Sequence, residues 1–194
     1  MGQENWHYGP HLMRLTEFES QGTTVCLFRG KEDSGQVGNA ELEQISQAVG
    51  GKTFLGNDSA SAIKYYAGRP DTKLVVVGYS LGAQGVRDMQ RLNPVLSITI
   101  AGWWSTLEQL ATISRGPWHN FYQQRELDKF KGSTYKPGGI AHQVSYEHSP
   151  IVGGVANQVI ELIKSQGTAK PQLSRSDRLV NKYNESQGRG KNFN

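Results

Sequence analysis

Along the chain, unbroken runs of β-branched and aliphatic residues take turns with stretches whose apolar positions recur every three or four residues. The first pattern reads as buried strand and the second as amphipathic helix. Thr23 to Phe28 (TTVCLF) is the first run, closed by Arg29-Gly30 as a strand ending in a turn would be. A Gly- and charge-rich loop leads to Asn39, which is expected to cap a helix carrying Leu42, Ile45, Ala48 and Val49 on one side and ending at Gly50-Gly51. Lys52 to Leu55 predicts a brief strand. From Asp58 a second capped helix carries Ala62, Ile63 and Tyr66 and stops at Arg69-Pro70.

Lys73 to Gly78 (KLVVVG) is apolar without alternation, which predicts a strand in the middle of a parallel sheet covered on both faces. Leu81 to Leu92 reads as helix, Asn93-Pro94 breaks it, and Val95 to Ala101 is another β-branched run. Weaker strands are expected at Trp118 to Gln123 and Ile140 to Tyr146. Val152, Val155, Ala156, Val159, Ile160 and Ile163 then form one stripe of a closing helix. Strands alternating with helices predict an α/β domain: a mostly parallel central sheet flanked by helices in three layers.

The 194 residues suit one domain, and no internal repeat or heptad run interrupts it. The net charge of +4 is unevenly placed. Residues 165–194 hold six Lys and Arg against Asp177 and Glu185, which leaves 15 basic and 15 acidic residues in the first 164. The expected division is therefore a compact domain over 1–164 and a basic, polar, flexible tail over 165–194, too poor in large apolar groups to build a core. No interleaving of aromatic and basic residues marks that tail as a nucleic-acid module; solubility is the plain role for it, and a protein partner is the other.

No run of about 18 apolar residues is present to span a membrane. Cys26 is the single cysteine, so no internal disulfide can form, and no basic-then-apolar segment precedes residue 20; the cytoplasm is the expected compartment. Gly2 is followed by Trp6 where a myristoylation site wants Ser or Thr. Cys and His are not clustered at ligand spacing, so neither a metal nor a cofactor is expected. Gly50-Gly51-Lys52-Thr53 imitates the end of a phosphate-binding loop, but Ser46 stands where its first glycine belongs and the stretch ends a helix instead of opening one.

Gly78-Tyr79-Ser80-Leu81-Gly82 matches G-x-S-x-G, between a strand and a helix rich in small residues. A serine there makes a sharp, strained turn in which side chains two residues to either side would collide. With this elbow the chain resembles the α/β-hydrolase superfamily, and more closely its small lipase- and cutinase-like members without a large cap domain, over Thr23 to Lys164. The resemblance implies Ser80 as nucleophile, followed in chain order by an acid and then a histidine ahead of the last helix.

His7 and His11 precede Ser80, and His119 starts a strand. His142 and His148 flank the strand Gln143 to Tyr146, and only His148 directly precedes the closing helix, so it is placed ahead of His142. The base must accept the Ser80 proton on one ring nitrogen while the other donates to a carboxylate. The family's loop spacing after Trp118 to Gln123 makes that carboxylate Glu126 or Asp128, with Glu108 a rarer placement. The oxyanion hole implied is the Leu81 amide plus that of Gly30 or Lys31, where many relatives carry His-Gly and this chain has Arg-Gly. Trp103-Trp104, at the same sheet edge, offers Trp103 as a wall for an acyl group.

The expected function is a serine hydrolase cleaving a carboxylic ester of a small-molecule or acylated substrate through an acyl-enzyme. Two alternatives stand beside it. One is a thioesterase or peptidase on the same scaffold, since the elbow sets the nucleophile and not the leaving group; the other is a non-catalytic interaction module that keeps the fold.

Overall fold

The computed structural model describes residues 22–31, 36–69, 72–102, 116–123 and 139–168. In chain order these form β1 (Thr23–Phe28), α1 (Gln36–Val49), β2 (Lys52–Phe54), α2 (Ser59–Ala67), β3 (Lys73–Tyr79), α3 (Ala83–Asp88), β4 (Leu96–Ile100), β5 (Trp118–Gln123), β6 (Ile140–Val144) and α4 (Ile151–Thr168). The six strands make one sheet in the order β2-β1-β3-β4-β5-β6, every neighbouring pair parallel. Parallel strands require crossovers, and these place helices on both faces.

Side-chain alternation along the strands divides the core in two. Val25, Leu27, Val75, Val77 and Tyr79 face α1 and α4, meeting Leu42, Ile45, Val49, Val152, Val155, Val159 and Ile163. Cys26, Phe28, Leu74 and Val76 face the other way, toward Ala62 and Tyr66 of α2 and Val86 of α3. The chain is thus an α/β three-layer sandwich, and the uninterrupted apolar run of β3 reflects burial on both faces.

Several boundaries move from their sequence expectation. Helix α1 begins at Gln36, three residues before Asn39, because the Asn39 side chain is engaged elsewhere: its Oδ1 accepts the Gly30 amide at 2.8 Å. Buried Ser46 joins its inner face, where the hydroxyl donates to Gly51 O. The segment expected as one helix from Leu81 is a 3₁₀ turn (Ser80–Gly82), then α3, then a second 3₁₀ turn (Met89–Leu92) closed by Asn93 at φ 52°. Asparagine tolerates that left-handed conformation better than most residues.

Strand β6 stops at Val144, and α4 continues to Thr168, past Lys164. Lys73 at the start of β3 donates its Nζ to Gln166 O at 3.0 Å, which ties down that last turn. Residues 169–194 of the basic tail lie outside the described residues.

Cys26 is fully buried in β1, and burial pushes its thiol well above the ordinary cysteine range, so almost no thiolate exists near neutral pH. The native protein is expected to leave the thiol unmodified by an aromatic disulfide reagent at pH 8, and one thiol per chain should titrate after unfolding in guanidinium. Rapid modification of the native protein would contradict this core assignment.

Candidate active site

The sheet order reverses around β1: the chain steps outward to β2 and then returns to the far side of β1 as β3. In open α/β sheets such a switch leaves a crevice at the carboxyl ends of the two strands. Phe28 pairs with Gly78, so Arg29-Gly30 and Tyr79-Ser80 emerge together at this edge. Tyr79 pairs with Ile100, which brings the residue after β4, Ala101, beside Ser80.

Ser80 has φ 51° and Ala101 φ 47°, both left-handed without being glycine. Each such residue costs about 1–2 kcal/mol. Two neighbours in this state at one sheet edge fit the clustering of backbone strain at functional sites. The elbow also forces close backbone contact. A Cβ at Gly82 would run into the Phe28 carbonyl oxygen, and one at Gly78 into Gly82 O, so both flanking glycines are required by space.

His148 lies between β6 and α4, and its Nε2 is 3.0 Å from Ser80 Oγ. Two groups hold the ring. Tyr79, fully buried, donates its hydroxyl to the His148 carbonyl oxygen at 3.1 Å and sets its ring 5.3 Å from the imidazole. Gln123, the last residue of β5 and 1% exposed, places its carboxamide 3.2 Å from His148 Nδ1. Close by, Glu41 of α1 accepts the Gly153 amide at 2.7 Å in the first turn of α4. A carboxylate there complements the helix dipole and fixes the helix that follows His148.

On the other side of Ser80, the Gly30 amide donates to Asn39, and the Asn39 Nδ2 returns a longer bond of 3.5 Å to Gly30 O. The tight fit of Gly30 and Gly38 against the Tyr79 ring leaves no room for a side chain at either; a Cβ would lie 2.9 and 2.6 Å from ring carbons. Arg29 turns away from Ser80: it pairs with Glu43 at 3.3 Å and lines a cavity of about 600 Å³ with Lys52, Phe54 and Tyr65. The Leu81 amide belongs to the 3₁₀ turn directly after Ser80, where first-turn N–H groups have no partner within the turn itself.

His142 does not approach Ser80. Its Nε2 meets His119 Nδ1 at 2.8 Å, and its ring stacks on Phe121 with centroids 4.5 Å apart. Burial holds both imidazoles below their ordinary value of 6.5, and for His119 the neighbouring His142 adds to this. Glu126, Asp128, Glu108, Trp103, Trp104, His7 and His11 lie outside the described residues. Two residues at the site carried no signal in the sequence. Asn39 resembled a helix cap, and Gln123 resembled any polar strand end.

No protein-family model matches the sequence, and a search of curated proteins finds no match. Among solved structures, the chain is similar to XC6422 from Xanthomonas campestris, described as a member of the a/b serine hydrolases without lid. The TM-score is 0.52 at 14% identity, over 76% of this chain and 84% of that one. The fold is α/β-hydrolase-like. In that scaffold the Ser80 turn occupies the strand-to-helix elbow.

Tyr79→Phe keeps the ring and removes only the hydroxyl bond to the His148 loop. The melting temperature is expected to fall by a few degrees, matching the loss of about 1 kcal/mol for one buried hydrogen bond, and calorimetry checks it. The depressed His119 and His142 make a second expectation. A histidine with a lowered folded pKa stabilises fully above the unfolded value and loses that contribution as pH falls through the folded one. Unfolding free energy measured in urea should therefore decline as pH drops below 6.5, and His142→Phe should flatten that slope.

Proposed function

We propose that the protein is a serine hydrolase that cleaves a carboxylic ester of a small-molecule or acylated substrate by acyl transfer. The observation that carries this reading is the 3.0 Å contact between Ser80 Oγ and His148 Nε2, made by a serine held at φ 51° at the sheet switch point. Strain of this kind lifts a hydroxyl out of the turn toward solvent, and the imidazole within hydrogen-bond reach supplies the base it lacks at neutral pH.

In this reading Ser80 Oγ bonds to the ester carbonyl carbon while its proton passes to His148 Nε2. The carbonyl electron pair moves to oxygen, and the resulting oxyanion is held by the Leu81 amide. The second bond is proposed to come from the Gly30 or the Lys31 amide, of which the Gly30 amide also donates to Asn39 Oδ1. Preorganised donors of this type are worth about 3–4 kcal/mol each to the transition state.

Collapse of the tetrahedral species breaks the ester C–O bond, and His148 gives its proton to the departing alcohol. Water then repeats the sequence on the acyl-Ser80 ester, with His148 as base, and releases the acid. Glu126 or Asp128 is proposed as the carboxylate that steadies the imidazolium in both halves. Trp103 is proposed to line the acyl side.

Ser80→Ala should reduce turnover of a short-chain aryl ester by on the order of 10⁴-fold or more, with an unchanged melting curve. A fluorophosphonate probe should label the wild-type chain at Ser80 and fail on the variant. Retained turnover in Ser80→Ala would refute the proposal.

A further inference from the structure

The cavity beside Arg29 takes no part in the chemistry proposed for Ser80, since neither Ser80 nor His148 lines it. It runs round the outer edge of β2, the end strand of the described sheet. Arg29 and Glu43 stand on the α1 side. Lys52 and Phe54 stand on the α2 side with Tyr65, and Leu55, just after β2, adds an apolar side chain that is 44% exposed. A volume of about 600 Å³ is that of a small-molecule site.

The charge in this lining is unbalanced. Glu43 is its one carboxylate, against Arg29 and Lys52. Among the described residues, Glu43 Oε2 at 3.3 Å is the only side-chain acceptor of the Arg29 guanidinium, farther than the roughly 2.7–2.9 Å usual for a charged pair. Arg29 Nε is enclosed by protein with no acceptor at all, a state in which few buried donors are left. A guanidinium with so few of its donors engaged keeps a positive potential that an acid group in the cavity would neutralise. Lys52 has no carboxylate partner among the described residues either. Its ammonium sits 3.8 Å from the ring centroid of Tyr65 and 5.5 Å from that of Phe54, and aromatic faces attract a cation without cancelling its charge.

We infer that this cavity is a binding site for a small molecule with an acid head, a carboxylate or a phosphate, on an apolar body. The head meets the guanidinium of Arg29, whose planar fork suits the paired oxygens of either group. The body lies along β2 against Leu55 and the aromatic pair. Lys52 adds the second positive charge and so favours a dianion over a monoanion. The inference goes beyond the hydrolase reading and does not depend on it. A lysine on a short edge strand has another common use, which is to discourage pairing with a foreign strand. That use needs no ligand, and a binding measurement separates the two.

The full chain is titrated at pH 7.5 with benzoate, phenyl phosphate and neutral benzamide, and amide NMR follows each titration. Both anions should give saturable shifts at the amides of Gly50, Gly51, Thr53 and Leu55, with phenyl phosphate the tighter, and benzamide should give none at the same concentration. Affinity should fall as salt is raised. Arg29→Met should weaken both anions by about tenfold or more, the scale of a lost charge-assisted bond, and Lys52→Met should remove the preference for phenyl phosphate. Glu43→Gln takes away the competing carboxylate and should tighten binding severalfold.

Absence of saturation with either anion overturns the inference, as does equal binding of benzamide or undiminished binding in Arg29→Met. Should that variant not fold, Glu43→Gln decides, and an affinity unchanged from wild type overturns the inference. Fluorophosphonate labelling of Ser80 reports on the hydrolase reading alone, so the two readings fail separately.

Discussion

The site depends on one backbone constraint: the chain must leave β3, reverse at Ser80 in a left-handed conformation, and pass Gly82 against the Phe28 carbonyl of β1 without any side chain between them. The elbow cannot relax outward because β3 is a central strand, paired with β1 on one side and β4 on the other. Its side chains Val75, Val76 and Val77 are wholly buried between the helix layers. The burial of those side chains, at about 1.5–3 kcal/mol each, outweighs the cost of one strained residue. The core thus keeps the serine in a position that local conformational preference opposes.

Around this point two side chains, the buried Tyr79 and the half-buried Asn39, connect separate elements. Tyr79 is enclosed by the backbone of Gly30 and Gly38 and bonds to the carbonyl of His148. Asn39 binds the loop after β1 from the first turns of α1. The nucleophile, the loop beside it and the histidine are therefore referenced to the same two helices, α1 and α4, which are themselves joined by Glu41 and Gly153. A displacement of either helix would move the Ser80 surroundings as a unit.

Much of the fold was legible because burial on two faces leaves a plain trace. The run Leu74 to Val77 admits few readings other than a central parallel strand, and the stripe from Val152 to Ile163 describes α4. Ser80 was legible for a related reason, since glycines two residues to either side are a steric requirement written in the sequence. The place of His148 followed from chain order and the resemblance.

What could not be read depends on direction. An asparagine near a helix start looks the same whether its amide turns to its own helix or to a neighbouring loop, and only the contact with the Gly30 amide shows that Asn39 does the latter. The local pattern around Gln123 is that of an ordinary strand end, and its nearness to His148 arises from the pairing of β5 with β6. Helix α3 and its two 3₁₀ turns were read as one helix because 3.6- and 3-residue periods are hard to distinguish over so short a span.

The enclosure of Tyr79 also bears on the order in which the molecule assembles. Its ring is covered by backbone from the loop after β1 and from α1, and its hydroxyl meets a loop almost seventy residues downstream, so no local segment can form this arrangement alone. Alignment of the imidazole with the serine must wait until the two ends of the domain have closed on one phenol. Competence for chemistry thus belongs to the completed native state, and a compact intermediate with its sheet formed but Tyr79 still uncovered would be inert.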